Sequence, residues 1–316
     1  MPQTGFLLHP ASALHDTGWN HPEHQGRLRA LSSTVGKDLL TLHEAVVQVD
    51  CRDATEEDLL RVHTPRHVEL VRTAVELAKD GDIRTLLTED TPVSAASWDA
   101  AVGSAGAVIT AAEQVSAGSL QNAFVATRPP GHHATASRSM GFCLFNNVAI
   151  GARHAQAAHG LARVAVVDFD VHHGNGTQHM FEADGDLFFA STHQFPFYPG
   201  SGAAGETGVG NIVNVELAAG AGGVEFRAAM SDRILPALRE FAPDFLLISA
   251  GFDAHEADPL AALNFLEADF EWATAELAAV ADECCAGRLV STLEGGYDLA
   301  ALGRSAAAHV RALMAA

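Results

Sequence analysis

The chain has 316 residues, 48% of them hydrophobic, so it can bury a substantial core within one large domain. Asp and Glu total 39 against 19 Lys and Arg, and this net charge of −20 argues against nucleic acid as a partner, since phosphate binding needs a basic surface. No apolar run is long enough to span a membrane, and the first residues lack the pattern of a secretion signal. The 4 cysteines form no CxxC motif, so we expect free thiols and a cytoplasmic location.

Short apolar runs alternate with helical patterns along the chain. The predicted strands are Gly5–His9, Ala123–Thr127, Arg163–Asp168, Asp186–Thr192, Asn211–Val215, Asp244–Ala250 and Leu289–Glu294. The predicted helices are Glu23–Val35, Thr55–Val62, Pro65–Lys79, Ala96–Ala117, Asn146–His159, Gly174–Glu182, Val224–Phe241, Glu267–Cys284 and Leu299–Leu313. This alternation is typical of βαβ units. We therefore predict a single α/β domain over residues 1–316, with a mostly parallel β-sheet flanked by helices on both faces.

Three polar side chains lie at the end of the predicted strand Arg163–Asp168 and just beyond it. Because side chains alternate between the two faces of an extended chain, Asp168, Asp170 and His172 should point the same way. Open α/β sheets carry their sites at the carboxyl ends of strands. Burying these groups is costly unless they are paired, and a divalent metal is a natural partner. They could instead cap the helix predicted from Gly174, but one cap needs one side chain, so we favour a metal site.

Paired histidines lie in the loop after the predicted strand Ala123–Thr127, within the stretch Arg128–His133. The two prolines and the glycine of this stretch favour a rigid turn, so His132 and His133 should be held in place. A neighbouring acid would orient an imidazole and raise its basicity, and Asp168 is the candidate for one of them.

Four potential metal ligands lie in the loop after the predicted strand Asp244–Ala250. Any of them could complete a metal shell, and the loop could equally be a solvated acidic segment. The spacing of the four residues does not show which of them would bind a metal, or whether any does. The four residues are Asp253, His255, Glu256 and Asp258.

The segment Leu293–Asp298 reads Leu-Glu-Gly-Gly-Tyr-Asp and begins within the last predicted strand. Two consecutive glycines let the backbone approach a ligand closely. Tyr297 then lies at the start of the next helix, where its phenol could donate a hydrogen bond to a developing oxyanion. Packing of the ring on the loop is the alternative interpretation.

Taken together, these segments resemble the histone deacetylase family, and in particular its bacterial class II-like amidohydrolases. The similarity runs from His21 to Leu299 and rests on the ordered motifs RPPGHH, GFCLFNN, DFDVHHGNGTQ, GFDAHEADPL and EGGYDL. It implies an arginase/deacetylase-like fold. It also implies a zinc-dependent enzyme that removes acetyl or other short acyl groups from a lysine-like amine.

The resemblance assigns a role to each residue that matches a motif. It implies that zinc is held by Asp170, His172 and Asp258. Protons would be moved by the tandem histidines His132 and His133. The catalytic group is completed by Asp168 and Asn175, which would orient these histidines, and by Tyr297, which would stabilise the oxyanion. Asn175 stands where other branches of the family carry Asp. Because an amide holds no charge, His133 should be less basic here than it would be beside an Asp.

The resemblance also implies a channel for the acyl-lysine side chain and structural potassium ions. The channel residues would be the aromatic pair Phe142 and Tyr198, Gly141 against the acyl group, Asp90 as a rim acid and Arg27 at the acetate exit. Phe is commoner than Tyr at the position of Tyr198. Potassium would bind backbone oxygens around Asp168, Asp170, His172 and Ser191, and around Phe181.

Three other functions stay open at this point. An arginase or agmatinase would need two manganese ions and more acids than Asp170–Asn175 offers. An acetylpolyamine deacetylase would act on small acylated amines. A non-enzymatic regulator would bind acyl-lysine without turnover. The substrate could be a small acylamine or an acylated protein. The choice between zinc and iron, the identity of the general base and homo-oligomer formation are also open.

Overall fold

Eight parallel strands make up the main sheet of the computed structural model, which describes residues 3–39, 45–81 and 85–316. The described strands are β1 Thr4–Leu7, β2 Val46–Val49, β3 Thr85–Thr88, β4 Thr91–Val93, β5 Asn122–Val125, β6 Val164–Asp168, β7 Leu187–Gln194, β8 Ile212–Leu217, β9 Phe245–Ala250 and β10 Leu289–Leu293. Their order across the main sheet is β2-β1-β5-β10-β9-β6-β7-β8, while β3 and β4 form a separate antiparallel hairpin. The predicted parallel sheet is confirmed.

Helices connect most of the strands. The described α-helices are α1 Gly26–Leu31, α2 Glu56–Leu60, α3 Pro65–Gly81, α4 Ser97–Ser116, α5 Asn147–His159, α6 Asn175–Phe181, α7 Gly223–Ala229, α8 Leu235–Phe241, α9 Glu267–Cys285 and α10 Leu299–Ala315. A 3₁₀-helix covers Pro10–Leu14, and π-helical segments cover Ser32–Leu39 and Met230–Ile234. Within the described residues, no helix combines the length and the apolar composition that crossing a bilayer requires.

The central strands are buried on both faces, as their apolar sequences require. Along β6, Val164 and Val166 pack into one core with α4 and α5. Ala165 and Val167 point the other way, into a second core with α9 and α10. The chain is therefore a single-domain α/β protein with helices on both sides of its sheet, as the alternation of strands and helices predicted.

Two predicted helices differ from the structure. The helix predicted over Val224–Phe241 is divided into α7 and α8 by a π-helical turn, because Pro236 has no N–H with which to continue the α-helical ladder. The helix predicted from Glu23 begins only at Gly26, because the carboxylate and carbonyl of Glu23 are bound by Arg128. Strand β2 and the β3–β4 hairpin were not predicted.

The sheet order brings four loops to one place. The chain inserts β9 and β10 between β5 and β6. Because all these strands are parallel, the loops that follow β5, β10, β9 and β6 leave the same edge of the sheet side by side. These loops contain the predicted metal ligands, the tandem histidines and the tyrosine.

Candidate active site

Two buried carboxylates converge on one imidazole beyond the ends of β6 and β9. Nδ1 of His172 lies 3.1 Å from Asp170 Oδ1 and 3.2 Å from Asp253 Oδ2. The potential ligand atoms of these three residues all lie within 4.8 Å of one another. One ring nitrogen can donate to only one oxygen, and Asp253 Oδ2 is left buried without a hydrogen bond in the described structure. Such an arrangement fits a cation.

The charges around this group also fit a cation. Burial by itself lowers the pKa of His172, but its hydrogen bond to Asp170 and the negative charges of Asp253 and Asp170 raise it to about 10. Burial and the charge of Asp170 raise the pKa of the Asp253 carboxyl. Burial and the charge of Asp253 raise the pKa of Asp258 to about 7. Three neighbouring carboxylates therefore exceed the positive charge that one imidazole can supply, and a bound divalent metal would balance them.

The glycine after Glu294 permits this crowding. A Cβ on Gly295 would lie 2.0 Å from Asp253 Oδ2 and 2.6 Å from Asp170 Oδ2. The backbone N–H of Gly295 donates to Asp170 Oδ2 at 2.8 Å. The close backbone approach predicted for the Gly-Gly pair is thus made to the candidate metal ligands themselves.

The structure narrows the four candidates in the loop after β9. His255 lies 3.4 Å from Glu267 and accepts a hydrogen bond from Ala257 N, while Glu256 is exposed. Asp253 belongs to the tight group with His172. Asp258 is buried outside that group, where its Oδ2 accepts from the backbone N–H of Tyr297 at 2.7 Å. The assignment of Asp258 as the third ligand stays a prediction, and Asp253 becomes a second candidate.

The tandem histidines have the expected partners. His132 Nδ1 lies 2.9 Å from Asp168 Oδ2, and His133 Nδ1 lies 2.8 Å from Asn175 Oδ1. The two rings are stacked obliquely, with centroids 4.0 Å apart. Both side chains are buried. Each imidazole is therefore held through Nδ1, which leaves Nε2 available for chemistry.

The environments of the two histidines differ in charge. Burial alone lowers the pKa of His132, but the charges of Asp168 and Asp170 raise it well above its usual value. Burial lowers the pKa of His133 well below its usual value, and positive charge on His132 or His172 acts in the same direction. His132 thus lies beside a carboxylate and His133 beside an uncharged amide, and the expectation that His133 is less basic than it would be beside Asp stays a prediction.

Glu294 is a positioning residue that the sequence analysis did not single out. Its fully buried carboxylate accepts hydrogen bonds from Gly131 N at 2.7 Å and His132 N at 3.1 Å, and from the hydroxyl of Ser249 at 3.1 Å. It thereby ties the loop after β5 and the end of strand β9 to the loop after β10. The only signal in the sequence is a charged residue at the end of an apolar strand.

Arg27 holds the loop that carries Tyr297. Its guanidinium donates to the carbonyl oxygens of Gly296 at 2.7 Å and Glu294 at 2.5 Å, and it lies 5.0 Å from the centre of the Tyr297 ring. Burial raises the pKa of Tyr297 well above its usual value. The phenol is therefore a hydrogen-bond donor throughout the physiological pH range.

A network of buried ion pairs holds Arg27 in place. The carboxylate of Glu23 binds Arg27 at 3.0 Å and Arg128 at 2.7 Å, and all three side chains are fully buried. Two buried cations share one anion here, and the backbone carbonyls of Ser12, His15 and Glu23 accept the remaining hydrogens of the Arg128 guanidinium. The network fixes the start of the Arg128–His133 turn, and sequence spacing did not reveal it.

The predicted channel residues surround the histidines and the tyrosine. The ring of Phe142 lies edge-on to Tyr297, with centroids 5.9 Å apart, and the ring of Tyr198 lies edge-on to His133 at 5.2 Å. A Cβ on Gly141, whose φ is +56°, would lie 2.3 Å from the His133 ring. Phe197, which was not predicted, stacks on His172 at 5.5 Å.

The predicted potassium sites are not tested by the structure. Asp168 and Ser191 are register partners at the ends of β6 and β7, which places those two residues side by side. Phe181 ends α6, where its carbonyl accepts a hydrogen bond from Asn211 Nδ2 at 2.8 Å. Potassium binding at either place stays a prediction.

Comparison with known proteins identifies the family. A profile of the histone deacetylase domain matches residues 21–313. The chain is 41% identical over 308 residues to rice (Oryza sativa subsp. japonica) "Histone deacetylase 10, chloroplastic", covering 93% of this chain and 70% of that protein. It is 39% identical over 303 residues to the "Histone deacetylase-like amidohydrolase" of Pseudomonas aeruginosa, covering 94% and 76%. The crystal structure of the HDA15 HD domain matches with a TM-score of 0.91 at 35% identity, covering 99% of this chain and 91% of that one. This chain therefore belongs to the histone deacetylase family and is a hydrolytic deacetylase.

Proposed function

We propose that the chain is a zinc-dependent amidohydrolase that removes acetyl or other short acyl groups from a lysine-like amine. The observation that carries the proposal is the meeting of three functional groups at one channel. The metal-binding group lies beside the tandem histidines, since the rings of His133 and His172 are 5.8 Å apart. Tyr297 stands against the channel wall at Phe142.

The residues of the group suit zinc chemistry. Carboxylate oxygens and an imidazole nitrogen are ligands of catalytic zinc, and Asp170 and His172 would hold the ion with Asp253 or Asp258. When bound, zinc polarises a carbonyl and lowers the pKa of water from about 15.7 towards about 7. The histidines are placed to accept a proton from the attacking water and to protonate the leaving amine. Tyr297 donates its phenolic hydrogen to the developing oxyanion.

The structure favours this function over the other candidates. In the part of the chain that is described, one group of at least three metal-binding side chains is found, at Asp170, His172 and Asp253. Asn175 offers no carboxylate to bridge a second ion, which speaks against a dimanganese arginase-like centre. A regulator that only binds acyl-lysine would need neither the histidine pair nor Tyr297.

A kinetic panel tests the proposal. We expect the zinc-loaded protein to hydrolyse at least one class of substrate in a panel of acetyl-lysine peptides, acetylpolyamines and longer acyl amides. Chelation should abolish the activity, and one equivalent of zinc should restore it. A requirement for two equivalents of manganese would support the arginase-like alternative. A flat profile near zero across the panel would contradict the proposal.

Replacing Asn175 by Asp is expected to raise the pKa of His133, because a carboxylate stabilises the imidazolium form whereas the present amide carries no charge. The limb of the pH profile of kcat/KM that His133 governs should move to higher pH by about one unit. A shift of the acidic limb would make His133 the general base, and a shift of the alkaline limb would make it the general acid.

Asn175→Ala is the matched control, since it removes the hydrogen bond to His133 without adding charge. Asn175→Ala should lower kcat/KM and should move neither limb of the pH profile to higher pH. If Asn175→Asp also left both limbs in place, His133 would not be one of the groups that the pH profile reports.

We also propose a cytoplasmic location. All 4 cysteines are free, which suits a reducing compartment. The name of the rice relative places that protein in the chloroplast, so cell fractionation should decide the location for this chain.

A further inference from the structure

A hydrogen bond crosses the rim of the channel between Asp90 and Tyr198. The phenol of Tyr198 donates to Asp90 Oδ2 at 3.3 Å. Asp90 lies in the turn between β3 and β4, and Tyr198 lies in the loop after β7, so the bond joins two elements that are far apart in the sequence. We call the contact between these two residues the rim strap.

The carboxylate of Asp90 is fully used within the chain. Its Oδ2 also accepts from Gly141 N at 3.3 Å, and its Oδ1 accepts from the hydroxyls of Thr88 at 3.0 Å and Thr91 at 2.8 Å. An ionised carboxylate offers about four lone-pair positions for hydrogen bonds. While the rim strap is formed, Asp90 therefore has no position left for a donor on a substrate.

Both ends of the rim strap are held in place. The backbone carbonyl of Asp90 lies 3.2 Å from His21 Nε2, which fixes the hairpin turn. The ring of Tyr198 lies edge-on to His133 at 5.2 Å and to His172 at 5.9 Å. The strap thus lies against His133 and the candidate metal ligand His172, and a cavity of about 300 Å³ opens beside it, lined in part by Arg138.

Tyr198 is the residue that makes the strap. Phenylalanine would fill the same space against the histidine rings, but it has no hydroxyl and would leave one lone pair of Asp90 free. A free carboxylate lone pair at the channel rim is a strong acceptor for backbone N–H groups, because hydrogen bonds to charged groups are the stronger ones. Tyrosine therefore occupies an acceptor at the rim that could otherwise accept hydrogen bonds from the N–H groups of a peptide backbone.

We propose that the rim strap makes this deacetylase select its substrates by the acylated side chain and not by the backbone N–H groups around it. The inference rests on the proposed function and names its substrate class. Substrates would be acylated amines for which a peptide backbone contributes no rim hydrogen bond. An isolated acylamine and an acyl-lysine peptide with the same acyl-bearing stem would then be processed with similar kcat/KM.

Two acetyl-lysine peptides of one sequence test the proposal. In one of them, the backbone amide nitrogens of the acetyl-lysine and of the next residue are methylated, so that both N–H donors are lost. For the wild-type protein, the ratio of the two kcat/KM values should be close to one. For Tyr198→Phe, the ratio should rise about tenfold in favour of the unmethylated peptide, the factor that a hydrogen bond to a charged acceptor supplies. Adding Asp90→Asn to Tyr198→Phe should return the ratio towards one.

Phe197→Leu is the matched control. It changes the neighbouring aromatic ring without touching the strap, so the ratio should stay at the wild-type value whatever happens to the rates. A wild-type ratio of tenfold or more, or an unchanged ratio in Tyr198→Phe, would overturn the strap while leaving the deacetylase function intact. Absence of turnover of every acyl amide by the wild-type protein would instead overturn the proposed function, and the strap with it.

Discussion

Replacing Asp170 by Asn is expected to remove both the bound metal and the deacetylase activity. Asp170 lies in the middle of the site, where Oδ1 is 3.1 Å from His172 Nδ1 and Oδ2 accepts the Gly295 N–H at 2.8 Å. An amide brings no negative charge to the cation. Because the metal supplies several kcal/mol of transition-state stabilisation, kcat/KM should fall by about 10³-fold or more. Metal analysis of the purified variant, together with its kinetics, checks both effects.

A carboxylate far from the site provides the control. Asp232 is exposed on the π-helical turn, and Asp232→Asn should keep both the metal and the activity. If Asp170→Asn retained one equivalent of zinc with wild-type affinity, the metal site described above would be wrong.

The same measurement decides the third ligand. Asp253→Asn and Asp258→Asn are compared by their zinc affinity. Loss of a residue that only supports a ligand costs about 10–100-fold in affinity, whereas loss of a ligand should cost more. The variant with the larger loss therefore identifies the ligand. The resemblance favours Asp258, and the tight grouping around His172 favours Asp253.

Replacing Tyr297 by Phe should lower kcat by about 10²–10³-fold, the usual effect of removing one oxyanion donor. The ring would keep its packing against Phe142 and its place over Arg27, 5.0 Å from the guanidinium carbon. Only the phenolic donor is lost, and burial keeps that donor protonated in the wild-type protein by raising its pKa. Single-turnover kinetics on the zinc-loaded variant measures the effect.

Metal content and KM are the controls for this variant. Both should stay near their wild-type values, because Tyr297 reaches Asp258 through its backbone N–H and not through its side chain. Wild-type turnover by Tyr297→Phe would remove the phenol from the mechanism. A parallel loss of zinc would show that the ring is structural.

Much of the site could be predicted from local patterns. Asp170 and His172 follow an apolar strand directly, and Tyr297 follows two glycines at the end of another. In a parallel sheet such residues must come to one edge, so their chemistry could be inferred before their positions were known. Asp168 was a candidate partner of one tandem histidine from its place at the strand end, whereas Asn175 was assigned to His133 only through the family resemblance.

The rest depended on contacts between distant parts of the chain. Glu294 binds the backbone of Gly131 and His132, which lie more than 160 positions away along the sequence. The carboxylate of Glu23 could have been a solvated helix cap, but the fold buries it between two arginines. Asp253 was one of four equal candidates until β9 and β6 placed it beside His172.

Strand–helix alternation and the residues at strand ends were thus determined by the sequence itself, since backbone geometry and burial act over a few residues. The order of the strands decided which of these ends became neighbours. The same order of strands decided which hydrogen-bond donors lie next to each buried carboxylate. Tyr198 shows the difference: its hydroxyl is visible in the sequence, but only the tertiary structure brings it to 3.3 Å from Asp90, because a hydrogen bond requires two groups to be close in space whatever their separation along the chain.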